Sequence, residues 1–99
     1  MDHFYGTAAG YTTHHTERGT DVSTQDEDTI EQALLVASEW LDGSFDWPGR
    51  RVGLYRVDQT RDWPRYDVWD SDNYPVDYLT VPTEIERATY EVARRWIAD

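Results

Sequence analysis

The sequence has no cysteine and no lysine. Without cysteine there is no disulfide framework and no thiolate metal site, and thiol catalysis is excluded. Without lysine, all nine cations are arginines, set against 20 Asp and Glu for a formal net charge of -11. That sign argues against a protein that grips nucleic acid or an anionic membrane, since both need clustered positive charge. No stretch approaches the roughly 20 apolar residues of a membrane span. The start, Met1-Asp-His-Phe-Tyr-Gly6, lacks the basic opening and apolar run of a signal peptide, so an intracellular or virion protein is expected. There is no glycine-rich phosphate loop, no G-x-S-x-G and no H-E-x-x-H.

Aliphatic residues are few. Leu, Ile, Val and Phe number 18 of 99, and so low a share with high net charge is a disorder flag. Five Trp and seven Tyr answer it, because disordered chains are poor in aromatics. A single folded domain spanning 1–99 is expected, with an aromatic-dependent core so small that oligomeric packing would complete it. The charge is uneven. Residues 1–46 carry ten acids and only Arg18, whereas 47–99 carry ten acids and eight arginines. This division suits contacts between copies, with carboxylates of one meeting arginines of the next, and equally a solvated acidic face.

The expected fold is mainly α: a small helical bundle of two longer helices and a short N-terminal one, with a long Trp/Pro-rich loop that could hold short β segments. Gln25–Asp42 reads as a helix opened by a Thr24/Glu27 capping box and closed by Gly43 as the residue past its end. Ile30, Ala33, Leu34, Ala37, Trp40 and Leu41 recur at helical spacing. Glu84–Ala98 follows Pro82 and a Thr83/Glu86 capping box, with Ile85, Ala88, Val92 and Trp96 as its stripe. Ala8 to Arg18, stopped by Gly19, reads as the short helix. The expected seam between the long helices is Ile30, Leu34, Ala37, Leu41, Ile85, Val92 and Trp96. Within the loop, residues 44–81, Val52–Val57 and Val76–Leu79 are candidate extended segments.

A local echo marks that loop: Asp46-Trp47-Pro48-Gly49-Arg50 and Asp62-Trp63-Pro64-Arg65. Proline holds the preceding tryptophan extended, and the arginine can bond carbonyls or stack on a ring. One reading makes these rigid turns that anchor the loop on the helices; the other makes them subunit contacts, because Trp and Arg are interface-enriched. The candidate subunit or partner interface is Trp47, Arg50, Arg51, Trp63, Arg65, Arg94 and Arg95. His14 and His15 with Glu17 and Asp21 suggest a metal, but neighbours on a helix diverge by about 100°, so no metal site is expected. No catalytic residue and no cofactor are expected either.

The ordered set Tyr5, Tyr11, His15-x-x-Arg18-Gly19, Trp40-Leu-Asp-Gly43-x-Phe45, Trp47-x-Gly49-x-Arg51, Trp63-Pro-Arg65 and Val81-Pro-x-Glu84-Ile85-x-x-Ala88-Thr89-x-Glu91-x-Ala93 resembles the phage head–tail connector, or neck adaptor, family. Its members often carry a DnaT-like ssDNA-binding label. The resemblance runs from about Tyr5 to Trp96. It implies a non-catalytic structural virion protein in the phage neck, present in host cytoplasm during assembly. It also implies a homomeric ring, typically a dodecamer, between the portal protein and a stopper (head-closure) or tail protein, with dsDNA passing through unbound. Two departures stand out. The family's leucine-rich stretch is the more polar Arg56–Asp62 here, and members usually continue past this last helix. Two other classes remain open: an acidic DNA mimic that inhibits a DNA-binding enzyme, and a literal ssDNA binder.

Overall fold

A computed structural model describes residues 4–53, 59 and 61–98. Three helices carry the fold: α1 (Ala8–Glu17), α2 (Glu27–Ser44) and α3 (Thr83–Ala98). Between α2 and α3, β1 (Arg50–Arg51) and β2 (Arg65–Tyr66) form one antiparallel ladder. The architecture is mainly α, as the periodicity indicated.

Each helix starts and stops for local reasons. α1 is capped by Thr7, whose hydroxyl accepts the Gly10 N–H at 2.9 Å. It ends in a Schellman turn: Gly19 at φ +76° donates to Thr16 O, and Thr20 donates to His15 O. α2 is capped by Asp26, which accepts from Thr29 N–H at 2.7 Å, and that bond holds the Asp26 carboxyl below its ordinary range. The Thr24/Glu27 box is therefore not the cap. Gly43 is not past the end either; α2 runs through it to Ser44, with Phe45 as C-cap. In α3 the first intrahelical bond goes to Pro82 O, from Glu86 N–H at 3.3 Å. Thr83 is thus a helical residue, one place later than a capping box needs.

Two hydrophobic clusters make the core. The first joins Tyr11 of α1 and Val22 to Ile30, Ala33, Leu34 and Ala37 of α2 and to Tyr90 and Ala93 of α3. The second joins Tyr5, Leu41 and Ile85 to Trp63 and Val68 of the loop. Leu41 lies with Ile85 and Ala33 with Ala93, so α2 and α3 run antiparallel. On the α2 side Ile30, Ala33, Leu34, Ala37 and Leu41 of the sequence stripe are buried, but Trp40 is 52% exposed. On α3 the seam is displaced by one residue: Ile85, Thr89 and Ala93 are buried, Val92 is half-buried, and Trp96 stays 45% exposed. Thr89 makes the difference. Its hydroxyl donates to Ile85 O at 2.8 Å, so a polar residue packs as a small apolar one. Ser38 does the same on α2 through Leu34 O.

The loop is not structureless. Its two echoed segments lie side by side, with Arg50 opposite Tyr66 and Arg51 opposite Arg65. Of the expected Val52–Val57 strand, Val52 and Gly53 are bends, and 54–58 lie outside the described residues. Val76 does pair, donating to Val68 O at 2.8 Å, but Asp77–Leu79 turn away instead of extending.

Candidate functional site

The second cluster is tied together by polar side chains that meet from three parts of the chain. The Tyr5 hydroxyl donates to Asp42 Oδ1 at 2.6 Å and accepts the Trp63 N–H at 3.1 Å. Asp42 Oδ2 accepts the Asp62 N–H at 3.3 Å. Arg61 lies 3.3 Å from the same oxygen, an ion pair without hydrogen-bond alignment. Burial, then the Asp42 hydrogen bond, push the Tyr5 phenol far up. Burial also raises Asp42 despite its partners. The N-terminal segment is further fixed by Tyr5 N–H donating to Ser38 Oγ and by Thr7 N–H donating to Tyr90 Oη.

Arg65 clamps the echo. Its guanidinium donates to Pro48 O at 2.8 Å, Gly49 O at 3.0 Å and Asp62 O at 3.1 Å. A planar fork suits this divergent set. Trp63 is 5% exposed and its bond to Pro64 is cis. Trp47, half-buried, lies edge-on to it at 5.5 Å. Through Phe45 at 5.2 Å and Trp40 at 5.9 Å the rings run from core to surface. The remaining candidate contact residues divide. Arg51 donates to Gln59 O, while Arg50 sits 5.3 Å over the Tyr66 ring and 3.7 Å from Asp67. Arg94 lies 3.7 Å from Glu91, and Arg95 is exposed. Trp47, Arg50, Arg51, Trp63 and Arg65 are thus brought together, and Arg94 and Arg95 stand apart on α3.

His14 and His15 face the same neighbour after all. Their rings stand edge to face at 4.8 Å, and with Glu91 they offer ligand atoms within 4.8 Å of one another. The i, i+1 angle misjudged them, because α3 crosses where it meets both rings. The atoms are already engaged: His15 Nε2 bonds Tyr90 O at 3.0 Å and His14 Nε2 bonds Glu91 at 3.3 Å. Burial lowers His15, so its neutral form with Nε2–H donating fits. Burial works to raise Glu91, but the His14 hydrogen bond and the Arg94 guanidinium outweigh it and hold the carboxyl low. Arg94 on the second Glu91 oxygen further disfavours a divalent ion. The trio reads as a tether between α1 and α3.

A cleft of about 180 Å³ lies between Phe4–Thr7, Arg61–Pro64 and Glu86. It is small for an organic substrate and mostly apolar. Burial raises Glu86, and the hydroxyls of the lining residues Tyr5 and Thr7 are engaged with Asp42 and Trp63 and with the Gly10 N–H.

Large apolar side chains also stand exposed on the surface. Trp69, Tyr74, Tyr78 and Leu79 are exposed, Trp69 by 61%. Trp69 and Tyr74 stand on a tight hairpin rooted in the core by Val68 and Val76, while Tyr78 and Leu79 lie in the turn beyond it, the Tyr78 ring 5.0 Å from Tyr66. Asp70 fixes its tip, its carboxylate accepting the Asp72 and Tyr74 N–H groups at 2.9 Å, with Asn73 at φ +67°. Asp67, Asp70, Asp72 and Asp77 alternate with these residues along the chain, and no cation occurs from 66 to 86; Arg50 approaches from β1, over the Tyr66 ring that packs on Tyr78. The sequence showed these residues as loop; only their exposure on an anchored support marks them.

A family model described as "Putative DnaT-like ssDNA binding protein" matches residues 4–99. No curated protein and no solved structure matches. The chain belongs to that family.

Proposed function

We propose, from the ordered motifs of the sequence, that the chain is a structural assembly subunit: a head–tail adaptor that forms a homomeric ring between portal and stopper and lets dsDNA pass without holding it. The observation that carries this reading is the setting of the exposed aromatics. A single-strand binder stacks bases on aromatics that line a basic groove. Here Trp69, Tyr74 and Tyr78 stand among four aspartates. Arg18, Arg51 and Arg65 donate to backbone carbonyls, while Arg50, Arg61 and Arg94 face carboxylates. Such a surface repels phosphate and suits protein partners. The net charge of -11 supports a conduit wall from which DNA slides free. The setting of these aromatics counts against the ssDNA binding in the family's description.

Electron microscopy of particles assembled with and without the chain tests the proposal. The expected result is a ring at the portal vertex and tail-less heads when the chain is withheld. Normal tailed particles without it, or a salt-sensitive gel shift with a single-stranded oligonucleotide, would overturn the reading.

A further inference from the structure

We infer that the acidic hairpin bearing Trp69 docks on the arginine-bearing end of α3 in a second copy of this chain, an inference that rests on the assembly reading above. The hairpin is built to project. Val68 is buried and Val76 packs on the same cluster, while Trp69 pairs with Pro75 across the ladder and the Asp70 carboxylate locks the turn. Rigid support of large exposed rings lowers the ordering cost of binding. The fit needs a partner that is apolar and positive.

This chain carries such a surface at the other end. Arg95 and Trp96 are exposed in the last turns of α3, and Arg94 is half-exposed beside them. Among the described residues Arg95 has no ion pair. Within one copy the two surfaces do not cover each other: Trp69 and Trp96 are both exposed and no ion pair joins them. Val68, Val76 and Val81 share a cluster with Ile85, which places the hairpin at the start of α3. Ten residues separate Ile85 from Arg95, about 15 Å along a helix. With the two surfaces at opposite ends of α3, each is free to meet its counterpart on a neighbour. That contact is heterologous, joining unlike surfaces, and repeats around a ring or along a fibre. Its charge pairing steers approach, and its aromatics supply the area.

Sedimentation velocity on the full chain, up to millimolar concentration, reads this contact. The wild type should self-associate, less so at high salt. Trp69→Ala and Arg95→Glu should each weaken association by about tenfold or more. Asp72→Arg combined with Arg95→Glu should recover part of that loss. Trp69→Ala mixed with Arg95→Glu should give a dimer that grows no further, because each variant keeps one half of the contact. Circular dichroism unchanged from wild type shows that these surface variants fold. A wild type that stays monomeric throughout overturns the self-contact, and the particle experiment still decides the assembly reading. Association that Trp69→Ala leaves unchanged overturns this interface while that reading stands.

Discussion

The Tyr5 hydroxyl donates a 2.6 Å hydrogen bond to Asp42 Oδ1 across 37 residues of sequence, and it accepts the Trp63 backbone N–H. One phenol oxygen therefore fastens the N-terminal segment, the end of α2 and the Trp-Pro-Arg turn to each other. Tyr5→Phe removes it and leaves a half-buried carboxylate and a buried N–H without that partner. A loss of about 1–3 kcal/mol is expected. Chemical denaturation of Tyr5→Phe, Asp42→Ala and the double variant should give a coupling of about 0.5–3 kcal/mol. Simple additivity would mean that the bond contributes nothing of its own.

Arg65 should not tolerate lysine. Three carbonyls in different directions need the guanidinium fork, and an ammonium can satisfy only part of the set. Arg65→Lys should destabilise nearly as much as Arg65→Ala, by about 1–3 kcal/mol. Thermal unfolding checks this; a lysine variant with wild-type stability would show that charge alone suffices. Assembly onto capsids should fall for both variants, because the loop they loosen supports the hairpin.

Gly10 lies inside α1, where alanine ordinarily stabilises a helix by about 1 kcal/mol. Here the sign should reverse. A Cβ at Gly10 runs into the Tyr90 hydroxyl, which also accepts the Thr7 N–H. Gly10→Ala should lower the melting temperature, and Gly10→Ala with Tyr90→Phe should recover part of the loss. A rise in the single variant would mean that propensity outweighs packing.

His15 gives the fold a pH dependence. Burial lowers its pKa in the folded chain, so unfolding takes up a proton. Stability from this group is full above the unfolded value of about 6.5 and is lost as pH falls through it toward the folded value. Melting temperatures should decline across that window in the wild type and more shallowly in His15→Gln. Parallel curves for the two proteins would assign the decline to other groups.

Much of the fold was legible because helices announce themselves locally. The apolar period of α2 placed Ile30, Leu34, Ala37 and Leu41 on its buried face, and Gly19 marked the end of α1. Caps were less legible, since several Ser, Thr and Asp residues compete within one turn; Asp26 prevailed over Thr24. On α3, Thr89 looked polar and was passed over, which displaced the seam by one residue and put Trp96 on the wrong side of it. The echoed tryptophans were visible as a pattern, but nothing local indicated that Trp63 would become core while Trp69 stayed out.

The sequence by itself determined the sign of the charge, the mainly helical class and the three helical segments, because composition and period are properties of neighbours along the chain. Only the tertiary structure decided that Tyr5 would meet Asp42, that His14 and His15 would share a neighbour, and that Trp69 and Tyr74 would stand exposed on an acidic hairpin. Those outcomes depend on which segments pack together, and long-range packing leaves no periodic trace in the residues it joins.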